Sequence, residues 1–137
     1  MAIFLDTGFI LAMKNADDKN HLIALELMKR FLKNEFGVIY TSTFVFGELV
    51  TLALTRLKNQ KLSEDLGKYI LESPRIVLMH LNDTDFKSAW EKFLIYTKKG
   101  LSFTDCTILV NCEKINCKNL ATFDNHFKGL IAMYPTI

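Results

Sequence analysis

Short apolar runs of strand length alternate with helix-length segments along the whole chain, and this alternation constrains the fold more than any other feature. The runs "AIFLD" (2–6), "VIYTS" (38–42), "RIVLMH" (75–80), "NLATF" (119–123) and "LIAMY" (130–134) carry charge only at their ends and read as buried strands. Between them, "HLIALELMKRFLKN" repeats Leu22, Leu25, Met28 and Leu32 at spacings of three and four, a helical stripe. "TFVFGELVTLALTRLKNQ" has helical length with Thr43 as a candidate N-cap, and "LSEDLGKYILES" forms a further helix before Pro74. "NDTDFKSAWEKFLIYTKK" is opened by Asn82 or Asp83 and closed by lysines and Gly100, and "SFTDCTILVNCEKIN" has Ser102 as its N-cap. "NHFKG" is a brief turn or helix. Strands alternating with helices imply crossover connections, hence an α/β fold: a three-layer sandwich with a mostly parallel central sheet flanked by helices. A length of 137 residues without repeat or linker suits one domain over 1–137.

The rest of the composition mainly excludes. No stretch approaches the ~20 apolar residues of a membrane span, and the apolar N-terminus lacks a basic lead and is broken by Asp6. Cys106, Cys112 and Cys117 are spaced by six and five residues, which misses the short-loop pairs of zinc sites. An odd number of cysteines with no secretion signal predicts buried, reduced thiols and a cytoplasmic protein with no membrane partner. The formal net charge of +2 is too small to establish a nucleic-acid partner. The basic clusters "KRFLK", "TRLKNQK" and "YTKKG" are either solvated helix ends or patches for phosphates.

Acids placed between segments that both want to be buried are the remaining oddity. Asp6 ends the first strand and Asp124 follows the fourth, on the strand-carboxyl edge where open α/β sheets bind ligands. Each also has a structural explanation as the N-cap of the helix or turn that follows. Asp105, three residues after Ser102, is either half of a capping box or the start of a functional face. It opens a row with Ile108, Cys112 and Ile115 expected to be buried, while Thr104, Thr107, Asn111 and Lys114 form the polar row. Glu48 continues into Thr51, Thr55 and Lys58 or Asn59, so pattern alone assigns it to the wet face of its helix. If the four acids converge, each like-charge pair at about 4 Å costs on the order of 4 kcal/mol at an effective dielectric near 20. Shared protons or a divalent cation must offset that cost. An all-oxygen site suits Mg²⁺ or Mn²⁺ and metal-assisted attack of water on a phosphodiester.

The stretches "FLDTGFILA", "TFVFGELV", "LSFTDCTIL" and "LATFDNHF" resemble, in order and spacing, the four acidic motifs of PIN-domain ribonucleases. The match is best to the small single-domain kind typified by VapC toxins. This resemblance implies a metal-dependent endoribonuclease with Asp6, Glu48, Asp105 and Asp124 as catalytic and metal-binding acids. It adds Thr7 and Thr104 as hydroxyl helpers, Mg²⁺ or Mn²⁺ as cofactor, RNA as substrate, a small antitoxin as partner and a homodimer. Gly8 departs from the serine or bulkier residue often found in the first motif. Lys58, Lys61, Lys98 and Lys99 are the expected contacts to the RNA backbone. His126, close after Asp124, either faces the scissile phosphate or is a surface residue, the second being the expectation, and the apolar helices around 22–32 and 43–54 are the expected dimer surface. A housekeeping RNA nuclease and a non-catalytic binding module on the same fold stay open as alternatives. An aspartyl phosphotransferase ranks below them, because "FLDTGF" lacks a second aspartate two residues on.

Overall fold

Sequence order and spatial order part company in the sheet, and this creates the crevice that matters for function. The computed structural model describes residues 1–136. Its strands are β1 (Ala2–Leu5), β2 (Val38–Ser42), β3 (Ile76–Met79), β4 (Asn119–Ala121) and β5 (Ala132–Tyr134), and they form one sheet of order β3-β2-β1-β4-β5. Every pairing in that sheet is parallel. The first connections step from β1 to β2 to β3, and the chain then returns past β1 to lay down β4 and β5. The order therefore reverses between β1 and β4, and such a reversal opens a crevice beyond the carboxyl ends of the two strands.

Six helices flank the sheet: α1 (Thr7–Lys14), α2 (His21–Leu32), α3 (Thr43–Thr55), α4 (Gln60–Glu72), α5 (Asp83–Tyr96) and α6 (Phe103–Lys114). α1 packs on α2 and α3, α3 on α4, and α5 on α6, while α3 also reaches α6. Covered on both faces, β1 is buried at every residue, which explains why "AIFL" lacks the alternation of a half-exposed strand. Phe4, Phe9, Phe31 and Phe127 are the largest fully buried side chains, with Phe9 5.8 Å from Phe31 and stacked 5.9 Å from Phe123.

Three local expectations need correction. The buried stripe of α2 is Ala24, Leu27, Met28 and Phe31, whereas Leu22 and Leu32 face outward, because Phe31 and Leu27 supply the larger apolar surface one position away. The N-cap of α3 is Ser42, not Thr43; its hydroxyl accepts the Val45 N–H at 3.2 Å. In α6 the middle of the expected polar row is buried: Thr107 and Asn111 have no exposed surface, since residues 106–112 are enclosed on all sides, while Thr104 is half-buried and Lys114 exposed. Thr107 meets its need locally by donating to the Thr104 carbonyl at 2.5 Å. The two candidate start residues of α5 resolve to Asn82, which accepts the Asp85 N–H at 2.8 Å. No helix of the described residues is long and apolar enough to cross a membrane.

Candidate active site

Asp6, Glu48, Asp105 and Asp124 line one cleft of about 690 Å³ at the crevice between β1 and β4. They come from four elements: the end of β1, the middle of α3, the first turn of α6 and the loop after β4. The aspartates also satisfy the structural roles weighed for them. Asp6 caps α1, its Oδ1 accepting the Phe9 N–H at 2.8 Å. Asp105 completes a capping box, its Oδ2 accepting the Ser102 N–H at 2.8 Å while its own N–H donates to Ser102 Oγ at 3.1 Å. Asp124 Oδ1 accepts the His126 N–H at 2.9 Å at the start of a short 3-10 turn, Asn125–Phe127. Capping and function are thus not competing explanations. Helix starts supply N–H donors and a positive dipole end, which hold anionic side chains in fixed positions beside one another.

Thr122 ties two of the acids together. Its hydroxyl donates to Asp6 Oδ2 and accepts the Asp124 N–H at 3.0 Å, and the side chain is fully buried. The Asp6 N–H reaches back to the Ala121 carbonyl at 3.1 Å, so backbone and side chain both lock the β1 end onto the β4 end. Thr122→Val keeps the shape and removes this bridge. The expected outcome is a roughly 10–100-fold loss of activity with an unchanged far-ultraviolet circular dichroism spectrum, as for other residues that orient ligands. Wild-type activity in this variant contradicts the role.

Electrostatics mark the same cleft. Burial is the main reason the Asp6 carboxyl is pushed up to about 7, against the pull of its Thr122 and Phe9 hydrogen bonds; Asp105 and Asp124 add to the rise. Asp105 is also raised, first by burial and then by Asp124 and Glu48, with its Ser102 bonds acting in the other direction. Asp6 and Asp105 therefore feel the neighbouring acids as like charges. Among the described residues no three such side chains are drawn tightly enough to enclose a metal ion. The all-carboxylate chemistry of the four acids is that of a donor set for a hard ion such as Mg²⁺ or Mn²⁺. Thr7 lines the cleft as well, and its buried hydroxyl has no hydrogen-bond partner, a donor and acceptor left for a ligand or water.

The other expected residues fall as follows. Thr104 lies outside this cleft, on an adjoining groove of about 520 Å³ that it shares with Glu48, Gly47 and Phe44. Gly8 lines the cleft, and a Cβ there would meet nothing closer than Asp6 Oδ1 at 3.9 Å, so space does not demand glycine. None of Lys58, Lys61, Lys98 and Lys99 lines it; Lys61 is engaged with Asp65 at 3.0 Å, and Lys98 and Lys99 sit in the turn just before Gly100. The basic residues that do line it are Arg56, which sequence reasoning did not select, and His126, which is exposed there as expected. On α3 the cleft face runs Glu48, Leu52, Arg56, a spacing of four visible in the sequence. His126 is exposed, with Nδ1 2.7 Å from Asp124 Oδ1, and its ring rests on Gly100. A Cβ on Gly100 would lie 2.7 Å from His126 Nε2, and the residue's φ of 94° independently favours glycine.

Residues 3–130 match the family described as PIN domain. The chain belongs to the PIN-domain family. This PIN domain is 29% identical over 135 residues to the 23S rRNA-specific endonuclease VapC20 of Mycobacterium tuberculosis, covering 97% of this chain and 98% of that protein. The crystal structure of M. tuberculosis VapC20, described as a sarcin-ricin loop cleaving toxin, superposes with a TM-score of 0.78 at 30% identity, covering 91% of this chain and 92% of that one. The PIN fold is shared more distantly with VapBC2 from Rickettsia felis bound to promoter DNA, at a TM-score of 0.66 and 19% identity over 97% of each chain. FitAcB from Neisseria gonorrhoeae gives 0.62 and 18% over 96% of each chain.

Proposed function

We propose that this PIN domain is a divalent-metal-dependent endoribonuclease acting as the toxin of a toxin–antitoxin pair. The observation that carries the reading is the meeting of four acids from four elements in one cleft, at the point where strand order reverses. RNA as substrate is supported by the relative named as a 23S rRNA-specific endonuclease. An antitoxin partner is supported by the likeness to VapBC2 and FitAcB.

The roles follow from chemistry at each position. Asp6, Asp105 and Asp124 hold Mg²⁺ or Mn²⁺, their carboxylates kept in place by the N–H groups of Phe9, Ser102 and His126. The ion supplies charge neutralisation at the phosphate and lowers the pKa of the attacking water. Glu48, without a helix start to anchor it, orients that water or completes the ligand set. Thr7 hydrogen-bonds a water or phosphate oxygen, and Thr104 positions the strand in the groove beside Glu48. Arg56 and His126 meet the phosphates within the cleft, while Lys58, Lys61, Lys98 and Lys99 hold the RNA backbone outside it. The protein works as one domain and as a homodimer. The exposed apolar row Phe86, Trp90 and Leu94 on α5 adds dimer surface to Leu22 and Ile23 on α2 and Leu54 on α3.

Incubation of the purified chain with ribosomal RNA and Mg²⁺ or Mn²⁺ tests the reading. Discrete fragments with 5′-phosphate and 3′-hydroxyl ends are expected, because water rather than the 2′-hydroxyl is the nucleophile. Fragments ending in 2′,3′-cyclic phosphate, or none, contradict it.

A further inference from the structure

Two of the three cysteines sit where a helix-ending motif forces close approach. At the end of α6, Asn116 adopts the left-handed conformation with φ 54°, Cys117 N–H bonds the Cys112 carbonyl at 2.8 Å, and Asn116 N–H bonds that of Glu113 at 3.2 Å. This is the paired pattern of a Schellman motif, in which the third-last helical residue and the second residue past the cap meet side chain to side chain. Apolar residues usually make that contact. Here those two positions are held by Cys112 and Cys117, and the Cys117 thiol donates to the Asn119 carbonyl at 3.3 Å. Both are buried, yet both line a cleft of about 220 Å³ with Leu109, Lys118, Leu130 and Ile131, which gives a small molecule a route to the sulfurs.

We propose that Cys112 and Cys117 are an oxidisable dithiol that closes to an intramolecular disulfide under hydrogen peroxide. A backbone hydrogen bond spanning the pair keeps the two Cα atoms within the roughly 7 Å that a disulfide requires. The neighbouring Cys112 thiol is the main reason Cys117 is held below the ordinary thiol value, while Cys112 is raised by the same neighbour and by burial. Cys117 is accordingly the sulfur that attacks. Its thiolate displaces hydroxide from peroxide, forming a sulfenic acid. Cys112 sulfur then attacks that sulfenyl sulfur, and the departing hydroxide takes the Cys112 proton and leaves as water. Two thiols and one peroxide give one disulfide and two waters. The bond fastens the end of α6 to the residues that lead into β4, and the far ends of these two elements carry Asp105 and Asp124.

The test is peroxide treatment of the reduced full-length chain, followed by alkylation under denaturing conditions and intact mass. One alkylatable thiol, Cys106, is expected in place of three, with loss of two hydrogens and no dimer. Trypsin cuts after Lys114, so in a Cys106→Ser variant the bond appears as a linked peptide pair that separates on reduction. The oxidised protein is expected to melt a few degrees higher, roughly 3–8 °C, and Cys117→Ser abolishes both signatures. Three alkylatable thiols after oxidation, a bond that includes Cys106, or a disulfide-linked dimer overturns the proposal. None of these readouts depends on the nuclease reading.

Discussion

Asp6→Asn is expected to abolish RNA cleavage and, at the same time, to make the metal-free protein more stable at pH 8. Activity should fall roughly a thousandfold or more, on the order of 4 kcal/mol of barrier, because a ligand carboxylate at the centre of the cleft loses its charge. The stability gain has a separate cause. Asp6 titrates near 7 in the fold, against a model-peptide value of 3.8. Between those values the folded state holds a proton that the unfolded chain has released, so stability falls as pH rises through the window. Above pH 7 the accumulated cost is on the order of 4 kcal/mol, and asparagine avoids it while keeping the Phe9 N–H bond. Thermal melting in EDTA should show the variant higher by on the order of 10 °C at pH 8, with the gap shrinking toward pH 4. A variant less stable than wild type at pH 8, or one that still cleaves RNA, contradicts the assignment.

Proton and metal compete for the same carboxylates, and this sets the second large effect. With Asp6 raised to about 7 and Asp105 raised in the same direction, affinity for Mn²⁺ should drop about tenfold for each pH unit below 7 and level off above it. Isothermal titration at pH 6 and pH 8 should therefore differ by roughly tenfold or more, and binding at pH 6 should take up ion while releasing protons to buffer. Equal affinities at the two values would mean that the ion binds elsewhere.

Which parts of this site a sequence can reveal depends on whether the signal is local. Asp6 and Asp124 were legible because Asp6 directly follows β1 and Asp124 lies just beyond the end of β4, which stops at Ala121 rather than at the Phe123 expected from sequence; in a parallel sheet that address alone puts a side chain on the binding edge. Asp105 was legible as an acid at a helix start beside an apolar face. Glu48 was not, since a mid-helix glutamate on a row with threonines looks the same whether it faces solvent or a cleft; only the family resemblance selected it. Thr122 was missed because its partners, Asp6 and the Asp124 N–H, are assembled by β1–β4 pairing across 116 residues of sequence for the first of them. Arg56 was missed although its spacing from Glu48 and Leu52 is local, because a basic residue on that row looks the same facing solvent or a cleft. The misplaced stripe of α2 and the buried Asn111 show the converse limit. Periodicity finds a helix reliably, but which side of it is covered is decided by what packs there.

The most direct test of the account is the initial rate of RNA cleavage as Mg²⁺ or Mn²⁺ is titrated into metal-free protein, for wild type and Asp105→Asn side by side. The account predicts no cleavage in EDTA, a saturable rise for wild type, and a flat or strongly right-shifted line for the variant. Full cleavage in EDTA, or coincident curves for the two proteins, contradicts it.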